Sequence, residues 1–254
     1  RERRAISRPE ATVPRSTVCS DGASVLRAAP PGPSAAELGA APRACNIRRM
    51  IRWGRYAAGY AALILATLGG AYLYGGSLPL RCPEPWLSLG TPAADLYSAA
   101  LGAVLGGLLV YGSRQAVERW SWGQRLHSEL RPFARGISSG GVLVLALLSA
   151  LGEELLFRGI LQPRVGLLPQ ALIFGLLHQI PGRSRWVWAG WAAAFGGLAG
   201  LVFQLTGSLV GPVVAHGLVN ALNLQYLKRH DPESKGRRLG GLLSQRAPLP
   251  RSRP

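Results

Sequence analysis

Five ionisable side chains lie deep inside otherwise apolar stretches of this 254-residue sequence, Glu153, Glu154, Arg158, His178 and His216, with Asn220 beside them. Ionisable groups in hydrocarbon are costly, and where they occur they are usually paired or functional. In LSALGEELLFRGIL, residues 148–161, Glu154 and Arg158 are four apart, so on a helix they share a face and can pair. Glu153 is turned about 100° away and lacks that partner. A carboxylate left in such a setting is a candidate general base. In FGLLHQ, residues 174–179, Phe174 and His178 share a face. In GPVVAHGLVN, residues 211–220, His216 and Asn220 do the same, and both could donate to one oxygen, as an oxyanion hole does.

Each motif has a plainer reading. The first is a structural Glu–Arg pair with a spare Glu, the second a packing histidine, the third two polar residues bonding to neighbouring helices. Together they make a stronger case. An enclosed carboxylate base, a histidine partner and two donors can hydrolyse an amide with water as the nucleophile. No Ser, Cys or Thr nucleophile arrangement is evident, and HExxH does not occur. His178, His216 and Glu153 could also bind zinc. The sequence leaves metal-dependent and metal-free hydrolysis both open.

The elements that must carry these residues are long and greasy. Hydrophobic residues make up 48% of the chain and charged residues only 16%, too few to cover a soluble globular surface. A helix needs about 20 apolar residues to cross the hydrocarbon. Stretches 56–76, 93–112, 137–161, 164–180, 186–207 and 208–227 meet or approach that length. The expectation is an all-α, polytopic membrane helix bundle of about six transmembrane helices, with Gly- and Ala-rich helices packed closely. The segment 114–130 alternates Arg and Glu with Val117, Trp120 and Trp122, which suits a helix lying at the interface. Trp186, Trp188 and Trp191 suit an aromatic belt.

The net charge of +17 follows the same plan. Arg43, Arg48, Arg49, Arg52 and Arg55 precede the first span, and 113–136 holds five Arg against two Glu. The tail from Lys228 is basic. Positive loops face the cytoplasm, so both ends are expected inside, with 77–92 and 207–211 outside. Arg164 is the one misfit. The basic excess is thus a topology signal, and no nucleic-acid partner is expected. Four parts follow: a Pro- and Ala-rich extension 1–49, expected to be flexible; two spans and a basic cytoplasmic loop over 50–136; a four-span core over 137–227; and a basic tail 228–254. Met50 directly precedes the first span, so 1–49 reads either as an extension upstream of the true start or as a transit or sorting arm. Cys19, Cys45 and Cys82 are odd in number and far apart, so no disulfide framework follows.

The order Glu153-Glu154-Leu155-Leu156-Phe157-Arg158, then Phe174 to His178, then His216 to Asn220, each on its own apolar helix, resembles a known family. These are the CPBP-type intramembrane proteases of the CAAX-processing and bacteriocin-processing group, also called the type II CAAX prenyl endopeptidase and lysostaphin-resistance family. The resemblance covers about 140–225. It implies an all-α bundle with a central conical cavity and endopeptidase cleavage of a membrane-associated protein or peptide. By the same resemblance Glu153 is the water-activating base, His178 helps bind the water, and His216 and Asn220 stabilise the oxyanion. Glu154 and Arg158 support the geometry. The family is usually labelled a metalloprotease, although a metal-free glutamate mechanism is also argued, so zinc is either absent or held by His178, His216 and Glu153. Two further readings compete: a membrane scaffold or immunity-type protein that works by binding, and a proton or substrate pathway, for which no inverted repeat is visible. The excess of Arg over Lys, 27 to 2, with high Ala and Gly, suggests a GC-rich bacterial genome and hence a bacterial inner membrane.

Overall fold

The computed structural model describes the backbone of residues 35–231 and the side chains of residues 53–231. The chain divides into two units, 1–40 and 41–254. Of the first, only the opening of helix α1 at 35–40 is described; the account below concerns the second. Most of the extension 1–49 and of the tail 228–254 therefore lies outside the described residues, although α1 already begins at Ala35.

Among the described residues the regular structure is helical, with one two-residue antiparallel bridge between Arg81 and Ser208. The helices are α1 (Ala35–Gly75), α2 (Thr91–Arg119), α3 (Ser121–Arg135), α4 (Ser139–Glu154), α5 (Gln162–Val165), α6 (Leu167–Leu177), α7 (Arg185–Thr206) and α8 (Val210–Arg229). Between α4 and α5 the helix widens into a π-helical segment, Leu155–Leu161. Such widenings concentrate at functional sites. Four stretches are long and apolar enough to cross a membrane: Trp53–Gly75, Thr91–Arg119, Ser139–Val165 and Arg185–Thr206.

Two of the six expected spans differ from that description. The segment 164–180 holds an 11-residue helix, α6, which rises only about 16 Å, half the hydrocarbon. It stops at His178. Pro181 follows, and the residue before a proline is disfavoured in α conformation. Helix α8 has the length but not the apolarity. It packs against α2, α3, α4 and α7, and those neighbours accommodate its polar side chains, His216, Asn220, Asn223 and Gln225. The amphipathic segment expected over 114–130 is also shifted. Helix α2 continues to Arg119, the chain turns extended at Trp120, and the surface helix is α3.

The seam that centres the bundle is α2 on α8. Ser98, Gly102, Gly106 and Val110 lie four residues apart on one buried face of α2. A side-chain carbon on Gly102 would collide with the Gly211 backbone, and one on Gly106 would sit 3.1 Å from the Ala215 carbonyl. Ser98 Oγ accepts from Gly211 N at 2.9 Å. Small residues that let backbones approach are the usual means of joining helices in lipid. Helix α1 differs. It touches the bundle along one stripe: Trp53, Ala57 and Tyr60 pack near Val142 and Leu145, and Ile64 and Leu68 near Leu155 and Phe203.

The loops expected on one side do meet. Cys82 N donates to Gly207 O at 3.0 Å and Leu209 N to Leu80 O at 3.3 Å, joining 77–92 to 207–211. At the opposite end α3 ties the termini of α7 and α8. The Glu129 carboxylate accepts from Arg183 N and Ser184 N, and Arg131 pairs with Asp231 at 2.6 Å.

Candidate active site

The half-length of α6 brings the sequence motifs together. Glu153 lies near the middle of the continuous Ser139–Val165 span. A full-length fourth span would have carried His178 to the far side of the bilayer. Because α6 returns only halfway, His178 stops at the depth of Glu153. Its Nε2 lies 3.5 Å from Glu153 Oε2. His216 Nε2, from α8, lies 3.9 Å from the same oxygen. Three helices thus aim two imidazoles at one carboxylate oxygen.

Hydrogen-bond partners fix which nitrogen faces the centre. His178 Nδ1 is 2.7 Å from Phe174 O. A carbonyl can only accept, so Nδ1 carries the hydrogen there. His216 Nδ1 is 2.7 Å from Glu154 Oε1, which also accepts from Arg158 Nη1 at 2.9 Å. Both imidazoles are therefore tethered through Nδ1, and both present Nε2 to Glu153. Glu153 Oε2 is buried and has no hydrogen-bond partner among the described residues.

The supporting pair is enclosed. Glu154 and Arg158 are each 0% exposed. The Arg158 guanidinium lies over the Phe174 ring at 4.8 Å and the Phe195 ring at 5.6 Å, and Nη2 donates to Gly196 O at 3.2 Å. Such a charge is tolerable only with its partner present. Phe174 also stacks near His178, with ring centroids 4.3 Å apart. The His178 side chain is 25% exposed while that of His216 is 5%, so the site opens past His178. From there residues 179–184 run to α7 without forming a helix. Irregular backbone at membrane depth persists only when buried in protein or lining a wet cavity.

Asn220 is placed one turn beyond His216, but its Nδ2 donates to Ser149 Oγ at 2.9 Å. One amide hydrogen remains for another acceptor. Two side chains that bond to the site's residues or their partners escaped the sequence reading. Tyr60, on α1, donates from its hydroxyl to Glu153 Oε1 at 2.8 Å. Gln170, fully buried on α6, donates to Gly196 O at 3.1 Å and so shares the acceptor that anchors Arg158. Tyr60 is 93 residues from its partner and carries no local signal. A neutral amide inside the apolar run around Gln170 was the available clue for the second.

The zinc alternative named His178, His216 and Glu153. Among the described residues no three His, Cys, Asp or Glu side chains are placed to hold a metal ion together. The chemistry below is written through the chain's own groups.

Residues 137–222 match the family described as "Type II CAAX prenyl endopeptidase Rce1-like". The match runs from α4 into α8 and contains all six residues singled out above. Over 81 residues the chain is 40% identical to the "Uncharacterized protein YpbD" of Bacillus subtilis (strain 168), covering 32% of this chain and 42% of that protein. The chain therefore spans under half the length of that curated relative. No solved structure matches.

Proposed function

We propose that the chain is an intramembrane endopeptidase that hydrolyses a peptide bond in a membrane-associated protein or peptide. The observation that carries this reading is the convergence of His178 Nε2 and His216 Nε2 on Glu153 Oε2 inside an apolar bundle. The Rce1-like match over the same helices supports it.

In this mechanism a water sits beside Glu153 Oε2 and His178 Nε2. As its oxygen attacks the substrate carbonyl carbon, Glu153 takes its proton. Tyr60 occupies Oε1 and leaves Oε2 as the basic atom. The carbonyl oxygen becomes an oxyanion beside His216, which acts in its doubly protonated form and donates from Nε2–H. Glu154, already facing Arg158, balances that imidazolium through Nδ1–H. The free amide hydrogen of Asn220 is the second donor. Collapse of the tetrahedral species breaks the C–N bond, and the proton held by Glu153 passes to the leaving nitrogen.

The membrane arrangement in this reading follows the charges. The α3 end is cytoplasmic and the 77–92 end outside. The site then opens toward the cytoplasmic side through 179–184. A bacterial inner membrane suits the arginine-rich composition.

The test is cleavage by the purified full chain in detergent. Positioned acid–base groups contribute about 10²–10⁴-fold, so Glu153→Gln should lower the rate by about 10³-fold with the helical signal unchanged. A folded Glu153→Gln protein that still supports the cellular phenotype would favour a scaffold or immunity-type protein acting by binding.

A further inference from the structure

One groove lies away from the site. It has a volume of about 830 Å³ and runs between α1 and the π-helical segment, on the 77–92 side. Leu63, Ala71, Leu156 and Ile160 are among its apolar walls, and loop 77–83 closes its outer end. Two guanidiniums line that end, Arg81 and Arg164.

Each arginine makes one contact within the fold and keeps other guanidinium N–H groups for a ligand. Arg81 meets Asp95 through Nη2 at 2.7 Å, and its side chain remains 43% exposed. Arg164 donates from Nη1 to Ile160 O at 2.6 Å, and no carboxylate lies within ion-pairing distance among the described residues. Arg164 is also the residue that the charge rule leaves unexplained. An arginine on the outer side opposes the usual orientation preference. Two forked cations at the headgroup level, above an apolar groove, are complementary to a phosphate carrying acyl chains.

We propose that this groove binds one anionic phospholipid from the leaflet on the 77–92 side. Its phosphate sits against Arg81 and Arg164, and an acyl chain lies between α1 and the π-helical segment. A bound lipid also fills the flank of α1 that the protein leaves bare. The assignment goes beyond the peptidase reading and does not depend on it.

The experiment is native mass spectrometry of the full chain, extracted from membranes holding both anionic and zwitterionic phospholipids. The wild-type protein should keep one anionic lipid in preference to a zwitterionic one. A juxtamembrane Arg contributes about fivefold to anionic lipid binding, so Arg164→Gln should weaken retention about fivefold and Arg81→Gln/Arg164→Gln more. Ala71→Trp fills the groove without touching either arginine and should expel the lipid even if Arg81→Gln disturbs the loop. Glu153→Gln should keep the lipid while losing cleavage, which separates this proposal from the proposed activity. Equal retention of both lipid classes, or unchanged retention in Arg164→Gln and Ala71→Trp, overturns it. Displacement by millimolar inorganic phosphate overturns it too, because the ligand would then be the ion alone.

Discussion

Tyr60 is the residue on which the site's geometry turns. Hydrogen bonds to charged groups contribute about 1.5–3 kcal/mol. This one orients a carboxylate that otherwise rests only between two histidines. Tyr60→Phe keeps the ring and its packing but removes the donor, so Glu153 gains a second rotamer. Steady-state kinetics on a membrane peptide should show kcat falling about tenfold with KM nearly unchanged, from a loss of about 1.4 kcal/mol in the transition state. A rise in KM alone would instead assign Tyr60 to substrate binding. The six other polar residues were legible in the sequence because each breaks an apolar run. Tyr60 was not, because a tyrosine in a membrane helix is commonplace at interfaces and nothing local marks its partner. The roles of Asn220 and Ser149 were legible only in part. Spacing placed Asn220 beside His216, but not the hydroxyl that takes one of its hydrogens.

At the level of elements, the α2–α8 seam decides whether the site assembles, because α8 carries both His216 and Asn220. Gly102→Val would drive a side chain into the Gly211 backbone, while Gly107 on the same helix has open space around it. Overpacking of this kind costs about 1–3 kcal/mol. Thermal unfolding in detergent should show a clearly lower midpoint for Gly102→Val and an unchanged one for Gly107→Val. Equal midpoints would mean the seam is looser than its contacts indicate. The helices themselves were readable from apolar length. The half-helix α6 was not, because LLPQALIFGLLHQI stays apolar past the break. Its end is set by His178 bonding back to Phe174 and by Pro181, which window averaging erases. Helix α8 was readable as a helix yet not as an interior one, since only packing against α2, α3, α4 and α7 explains its polar side chains.

For the whole molecule, the two ends of the bundle are held by different chemistry. Backbone pairing joins 77–92 to 207–211, while side chains of α3 clamp the α7 and α8 termini. That clamp is sensitive to protons. His127 Nε2 contacts His230 O at 3.1 Å, and burial holds the His127 pKa below its ordinary value despite that contact. The folded protein thus resists a proton that the unfolded chain accepts near pH 6.5. Unfolded molecules bind more protons below that value, so stability is full above it and declines as pH falls through it. Midpoints measured from pH 8 to 5.5 should drop on the acid side, and His127→Gln should flatten the curve. An acid-side drop that survives in His127→Gln would place the titration elsewhere.

Helix α1 reaches the Glu153 carboxylate through a single phenol while touching the rest of the protein along a narrow stripe. A mismatch between a helix's apolar length and the bilayer thickness is one of the forces that can retilt it. In the proposed peptidase, a bilayer that retilted α1 would swing the phenol relative to Glu153, and acyl-chain length would then become a control input to turnover with no messenger required.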